Sequence, residues 1–204
     1  MIAGIVIGVI IVILIIMYIA NYNGLVNLRN QMKNAWSQID VQLKRRHDLV
    51  PNLVETVKGY AAHERGTLEA VTNARNLAQS VANTGTVAAR AQVEGQLSSA
   101  LARLMLVVEN YPNLKANENF IALQEQLTTT ENQISTFRQA YNDSVLRYNN
   151  KIQMFPSNIV AGMGNFKPGE FFEVTAPEER EVPKVSFAPN PPSPTSPDKP
   201  LDIK

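Results

Sequence analysis

The sequence predicts an all-α protein: a single N-terminal transmembrane helix, then an antiparallel four-helix bundle with long helices, an irregular segment and a disordered Pro-rich tail. Three observations carry this prediction. Residues 2–19 hold thirteen Ile, Val or Leu and no charge. Between residues 25 and 155 apolar residues recur at steps of three, four and seven, and no useful strand alternation occurs before residue 170. The stretch 183–204 carries seven of the twelve prolines, a composition that cannot bury enough surface to fold. The division that follows is a transmembrane anchor over 1–22, a helical body over 23–182 and the tail over 183–204. The body has the size of one ordinary domain.

The opening run, about 20 residues at roughly 1.5 Å each, matches the roughly 30 Å of a bilayer's hydrocarbon core. A cleaved signal peptide would need a basic start, a shorter apolar run and a small-x-small cleavage site. Nothing basic precedes the run, and Tyr18-Ile19-Ala20 fits such a site poorly. Arg29 and Lys33 follow the run and no basic residue precedes it. The positive-inside rule therefore predicts a single-pass membrane protein with its N-terminus out and its body in the cytoplasm. Tyr18 and Tyr22 suit the interfacial belt. Gly4 and Gly8 form a GxxxG pair that suits helix–helix packing in the bilayer; the plain alternative is that glycine is common in membrane helices.

Leu25, Leu28, Met32, Ala35, Trp36, Ile39 and Leu43 begin the helical pattern of the body, after a joint expected at Asn21, Asn23 and Gly24. Pro51 divides the readings. Asp48 could cap a new helix with Pro51 in its first turn, or Pro51 could only kink one long helix. Trp36, Leu43, Val50 and Val57 keep a seven-residue spacing across it, which favours continuity. A single helix over 25–80 would be about 84 Å long with nothing later in the chain to cover it, so a break or bend near 48–51 is expected. A next helix then runs to about 80, a third over about 87–110 and a fourth over about 117–154. Phe120, Leu127, Ile134, Tyr141, Tyr148 and Phe155 give the fourth a heptad seam of coiled-coil type. Its asparagines, Asn132, Asn142, Asn149 and Asn150, lower helix propensity. Phe166, Phe171 and Phe172 are expected to pin an irregular segment over 156–182 onto the bundle.

Composition removes several chemistries. There is no Cys, hence no disulfide, thiolate metal site or Cys nucleophile. His47 and His63 are sixteen residues apart and read as surface or interface residues; no Glu-x-x-His, P-loop, GxGxxG or GxSxG is present. No catalytic, cofactor-binding or metal site is expected, and no small-molecule substrate is indicated. Residues 29–182 hold 16 basic and 16 acidic residues, a neutral body that argues against nucleic-acid binding. In the Lys44-Arg45-Arg46 cluster, Lys44, Arg46 and Asp48 read as helix-surface charges. Arg45 could pair with Asp48 or with a neighbouring helix. Arg46 and Glu64 fall near the apolar seam, either as a buried pair that sets register or as part-exposed, snorkelling side chains.

The run from Asn27-Leu28-Arg29-Asn30 through Ala35-Trp36-Ser37-Gln38-Ile39-Asp40-Val41-Gln42-Leu43-Lys44-Arg45-Arg46-His47-Asp48-Leu49-Val50-Pro51-Asn52-Leu53-Val54 to Glu64 closely resembles the LemA family of bacterial proteins. Tyr111-Pro112-Asn113-Leu114-Lys115-Ala116, Ala140-Tyr141-Asn142-Asp143, Phe155-Pro156-Ser157-Asn158 and Lys167-Pro168-Gly169-Glu170-Phe171-Phe172 fit it too. One departure is Asn165, where glycine is expected before Phe166. The resemblance implies an N-out, C-in membrane protein with a helical-bundle domain and no agreed enzymatic activity. It extends to magnetosome-membrane proteins and to genes near membrane metalloproteases, which hint at membrane organisation and at an adaptor role. The candidate interaction or packing residues within it are Trp36, Asp40, Arg45, Arg46, Asp48, Pro51, Asn52, Glu55 and Tyr60.

With the resemblance, the function expected is a membrane-anchored, non-enzymatic scaffold or adaptor whose helical bundle mediates protein–protein or self-association at the cytoplasmic face of the bacterial inner (plasma) membrane. Its partners are the lipid bilayer, other membrane proteins and copies of itself. Tethering makes weak helix-face contacts effective by raising local concentration. The rivals are a membrane-shaping protein acting through an amphipathic helix over 25–47 and an enzyme with an unrecognised site.

Overall fold

Pro51 lies inside a helix. The computed structural model describes residues 1–173, and in it α1 runs unbroken over Ile2–Lys58. Neither the joint at 21–24 nor the break near 48–51 forms. A proline at 51 removes the N–H that would bond the His47 carbonyl and leaves that oxygen orphaned. Arg75 of the next helix donates its Nε–H to this oxygen at 2.8 Å, and the Pro51 ring faces solvent. The proline is thus accommodated by a residue 28 positions away in sequence. The chain turns instead at 59–64, where Ala61 N donates to Val57 O at 2.8 Å and buries its own methyl.

After this turn come α2 (Arg65–Val81), α3 (Val87–Val108), a single turn α4 (Pro112–Lys115), α5 (Glu118–Gln153) and α6 (Ser157–Met163). Thr86 caps α3 by accepting from Ala89 N, and Asn117 caps α5 by accepting from Phe120 N. Residues 164–173 run on as an irregular strap. α4 and α6 are helical turns where the sequence suggests only a helix end and irregular chain. Proline at the first position of α4 supplies a preset φ.

α1 packs chiefly against α5, and α2 against α3, with α2 also touching α1. The cover that a long first helix needs is α5. The part of α1 beyond residue 20 is about 57 Å long and the 36 residues of α5 span about 54 Å. Short turns make the four long helices alternate in direction. They do not share their whole length, because α3 begins only at the level of Trp36 and Asp40. Three apolar clusters mark the tiers. The distal one joins Val50, Leu53 and Val57 to Leu68, Val71, Leu97, Leu104 and Leu127. The middle one joins Ile39 and Leu43 to Ala91, Ile134, Tyr141, Val145 and Phe172. The proximal one joins Leu25 and Tyr148 to Val160, Ala161 and Phe166, and here α6 and the strap replace α2 and α3.

The heptad seam of α5 holds from Phe120 to Tyr148, all buried; Phe155 lies beyond the helix end and is 78% exposed. Of the aromatics expected to pin the strap, Phe166 and Phe172 are buried and Phe171 is not. Asn165 has φ 51°. That left-handed conformation explains why glycine is expected there, and asparagine is among the few side chains that adopt it readily. Residues 2–20 are exposed along their whole length and form one apolar helix segment long enough to cross a membrane. Gly4 and Gly8 have no other part of the chain near them. The expected tail over 183–204 lies outside the described residues.

Candidate functional site

The core seam of α1 reads 39, 43, 46, 50, 53, 57, and one of its positions is an arginine. Arg46 is 1% exposed, so its charge must be met inside the protein. Its Nη2 pairs with Glu94 of α3, and its Nη1 donates to Glu131 Oε1 of α5 at 2.6 Å and to Ser98 Oγ at 2.9 Å. His47 Nε2 sits 3.0 Å from the other Glu94 oxygen. Burial pushes the Glu94 carboxyl up, but the neighbouring His47 and the Arg46 charge outweigh it and hold Glu94 below its ordinary value. This layer separates the distal and middle apolar clusters and ties three helices together.

The layer corrects three expectations. Arg46 is not a surface charge. Its partners are Glu94 and Glu131 rather than Glu64, which accepts from the Tyr111 hydroxyl at 3.0 Å. His47 is buried, whereas His63 is exposed as expected. Glu94 and Arg90 were visible in outline: they continue, at steps of four and three, the seam that runs through Leu97, Leu101, Leu104 and Val108.

About three turns below Arg46 on α1, Trp36 anchors a second junction. Its ring packs on Tyr141 (5.2 Å between centroids) and Phe172 (5.6 Å). The Arg90 guanidinium lies 4.7 Å over it and pairs with Asp40. The strap is clipped to α5 by side chains that imitate a backbone. Asn142 accepts from Phe172 N at 2.9 Å and donates to Phe172 O at 3.2 Å. Asn149 does the same with Gly169, at 2.8 and 3.0 Å. The spacing suits both partners: seven helical residues rise about 10.5 Å and three extended ones about 10 Å. Tyr141 donates to Glu170 O at 2.8 Å; burial first and the Glu170 charge second push its hydroxyl up to about 12. A Cβ at Gly169 would meet Met32 Sδ at 2.6 Å, so a larger residue there would have to displace that methionine side chain.

The remaining predicted residues divide. Glu55 pairs with Lys58 at 3.4 Å on the surface. The Tyr60 hydroxyl accepts from Asn117 Nδ2 at 3.0 Å and clasps the start of α5. Arg45, Asp48, Pro51 and Asn52 lie on the outer face of α1. Arg45 and Asp48 make no ion pair with each other or with any described residue. With Val41, Lys44 and Leu49 they line a shallow groove. A separate cleft of about 230 Å³ opens beside the charged layer, walled by Arg46, Glu131, Arg138 and Phe172. Ser98, which also lines the cleft, accepts the Arg46 bond. Among the described residues no group of three His, Cys, Asp or Glu is placed to hold a metal ion.

The LemA family profile matches residues 35–187, from the residue before Trp36 through both junctions. The chain belongs to the LemA family. Magnetosome protein MamQ 2 of Paramagnetospirillum magneticum is 27% identical over 178 residues, covering 76% of this chain and 65% of its own length. Protein LemA of Metamycoplasma hominis is 27% identical over 144 residues, with 71% and 65% covered. Magnetosome protein MamQ of Magnetospirillum gryphiswaldense is 23% identical over 177 residues, with 76% and 65% covered. The chain thus spans about 65% of the length of these relatives. The segments that carry the LemA resemblance converge in space: Trp36 from the first, Tyr141 and Asn142 from the third, Gly169 and Phe172 from the last.

Proposed function

We propose that this LemA-family protein is a membrane-anchored, non-enzymatic scaffold or adaptor at the cytoplasmic face of the bacterial inner membrane. Its body would meet other membrane proteins or copies of itself. The observation that carries the reading is the split of charge on α1. Arg46 and His47 are consumed inside the fold, while Lys44, Arg45, Asp48 and Asn52 stand unused on the opposite face. Because α1 is one helix, that face is held at a set height, about 36–48 Å beyond Ala20. A tether of this kind turns a weak contact into an effective one. The relatives named as magnetosome proteins support a place in membrane organisation.

Cytoplasmic placement rests on basic residues near the span. Those residues are Arg29 and Lys33, which follow the apolar run while no basic residue precedes it. The membrane-shaping rival acting through 25–47 loses ground, because the apolar face it would lay on lipid, Leu25, Ile39 and Leu43, is buried in the body.

The test is a photo-crosslinking residue at Arg45 of the full-length protein in native membranes, with the same residue at Leu106 as control. Defined adducts at Arg45 and none at Leu106 are expected. Monomer alone at both positions would remove the reading.

A further inference from the structure

We propose that the corner between α5 and α6 is a second membrane contact, with Phe155, Ile159 and Met163 seated in the headgroup–acyl boundary of an anionic bilayer beside the span. The inference rests on residues 2–20 crossing the membrane.

The corner is amphipathic. Ser157, Val160 and Ala161 of α6 are buried against the body. On the other side Phe155 is 78% exposed, Met163 72%, Met154 61% and Ile159 56%. Ile159 and Met163 are four residues apart within α6 and share a side, and Phe155 stands exposed in the turn just before the helix. An apolar side of this size at the end of an otherwise polar body needs an occupant.

Its position names the occupant. Ser157 Oγ donates to Asn21 Oδ1 at 2.7 Å, and Asn21 is the first residue after the apolar run. Phe166, just past the other end of α6, packs edge-on against Tyr22 at 5.5 Å. Both ends of α6 are therefore tied within about one turn of the point where α1 leaves the hydrocarbon. A short helix crossing α1 at that height lies where interfacial helices bury their apolar faces, about 5–10 Å into the headgroup region.

Charge separates lipid from a second copy. The two stretches that build this tier, 17–34 and 144–169, contain Arg29, Lys33, Arg147, Lys151 and Lys167 and no Asp or Glu. Two such collars would repel one another, whereas anionic headgroups attract them. A Cβ placed on Gly24 would lie 4.0 Å from Lys151 Cε, so Lys151 stands beside α1 about four residues past the apolar run, within a Debye length of about 8 Å of the interface.

The chain has no cysteine, so single cysteines report cleanly. Full-length Ile159→Cys, Met163→Cys, Ile13→Cys and Leu106→Cys are each labelled with an environment-sensitive fluorophore. They are placed in phosphatidylglycerol–phosphatidylcholine vesicles containing lipids quenched near the headgroup or at the chain end. Positions 159 and 163 should be quenched by the shallow lipid, position 13 by the deep one and position 106 by neither. Quenching at 13 with 159 and 163 behaving like 106 overturns the second contact alone. No quenching at 13 overturns the span and this inference with it. Shielding of 159 and 163 that appears only at high protein-to-lipid ratio, without lipid quenching, assigns the patch to a second copy and also overturns it.

Discussion

The charged layer around Arg46 and the clipped strap at Asn142 and Asn149 hold the same helix pair by opposite means. In the layer, a buried guanidinium and carboxylate lock α1, α3 and α5, and each charge depends on the other being present. In the strap, neutral amides satisfy backbone groups one pair at a time. The first arrangement is all-or-none, because a lone buried charge is costly. The second is divisible, because each lost amide leaves the other in place. The distal tier should thus unfold as a unit, while the strap can open by itself.

The largest expected effect tests the all-or-none half. Arg46→Ala strands Glu94 and should cost about 3–5 kcal/mol in denaturant unfolding of the full chain. Arg46→Met combined with Glu94→Leu should recover most of that loss. A double variant no better than the single would show that shape, not charge, holds the layer.

Next comes the strap. Asn142→Ala and Asn149→Ala should each cost about 1–3 kcal/mol locally, so amides at 169 and 172 exchange roughly 10- to 100-fold faster. Global unfolding should move much less. A fall in global stability as large as that of Arg46→Ala would erase the distinction between the two regions.

Arg75→Met probes a single backbone carbonyl and should cost about 1–3 kcal/mol by leaving the His47 oxygen unpaired. With Pro51→Ala the helix regains its own N–H donor there, so the cost of Arg75→Met should shrink. Equal costs in both backgrounds would mean that Arg75 acts by packing only.

The smallest effects are in pH. Glu94 is held below its ordinary value of 4.5. Its contribution is full above that value and is lost as pH falls through the folded value. Glu94→Gln should flatten the acid limb of the stability curve. Tyr141, at about 12 against an ordinary 10, stabilises fully below pH 10 and loses that contribution as pH rises toward 12. An alkaline absorbance titration should show one late tyrosine that is missing in Tyr141→Phe.

Much of the architecture was readable along the chain. The apolar helix segment over 2–20 follows from an uninterrupted run of apolar residues, and α3, α5 and the seam from Phe120 to Tyr148 follow from residues three, four and seven apart, a relation carried by neighbours on one helix. The seam even passes through Arg46, Arg90 and Glu94, so the layer left a trace. The continuity of α1 left one too, the seven-residue spacing of Trp36, Leu43, Val50 and Val57 across Pro51, but the proline and the length of an uncovered helix outweighed it. Proline reads as a breaker until Arg75 is folded beside it. The asparagines of α5 look like poor helix formers until the strap lies alongside, and His47 looks like a surface residue until Glu94 arrives from α3. Period and composition determine which segments are helical and which one is greasy enough for lipid. Which orphaned carbonyl, amide or charge finds its partner depends on residues 20 to 85 positions apart, and only the packed helices bring those together.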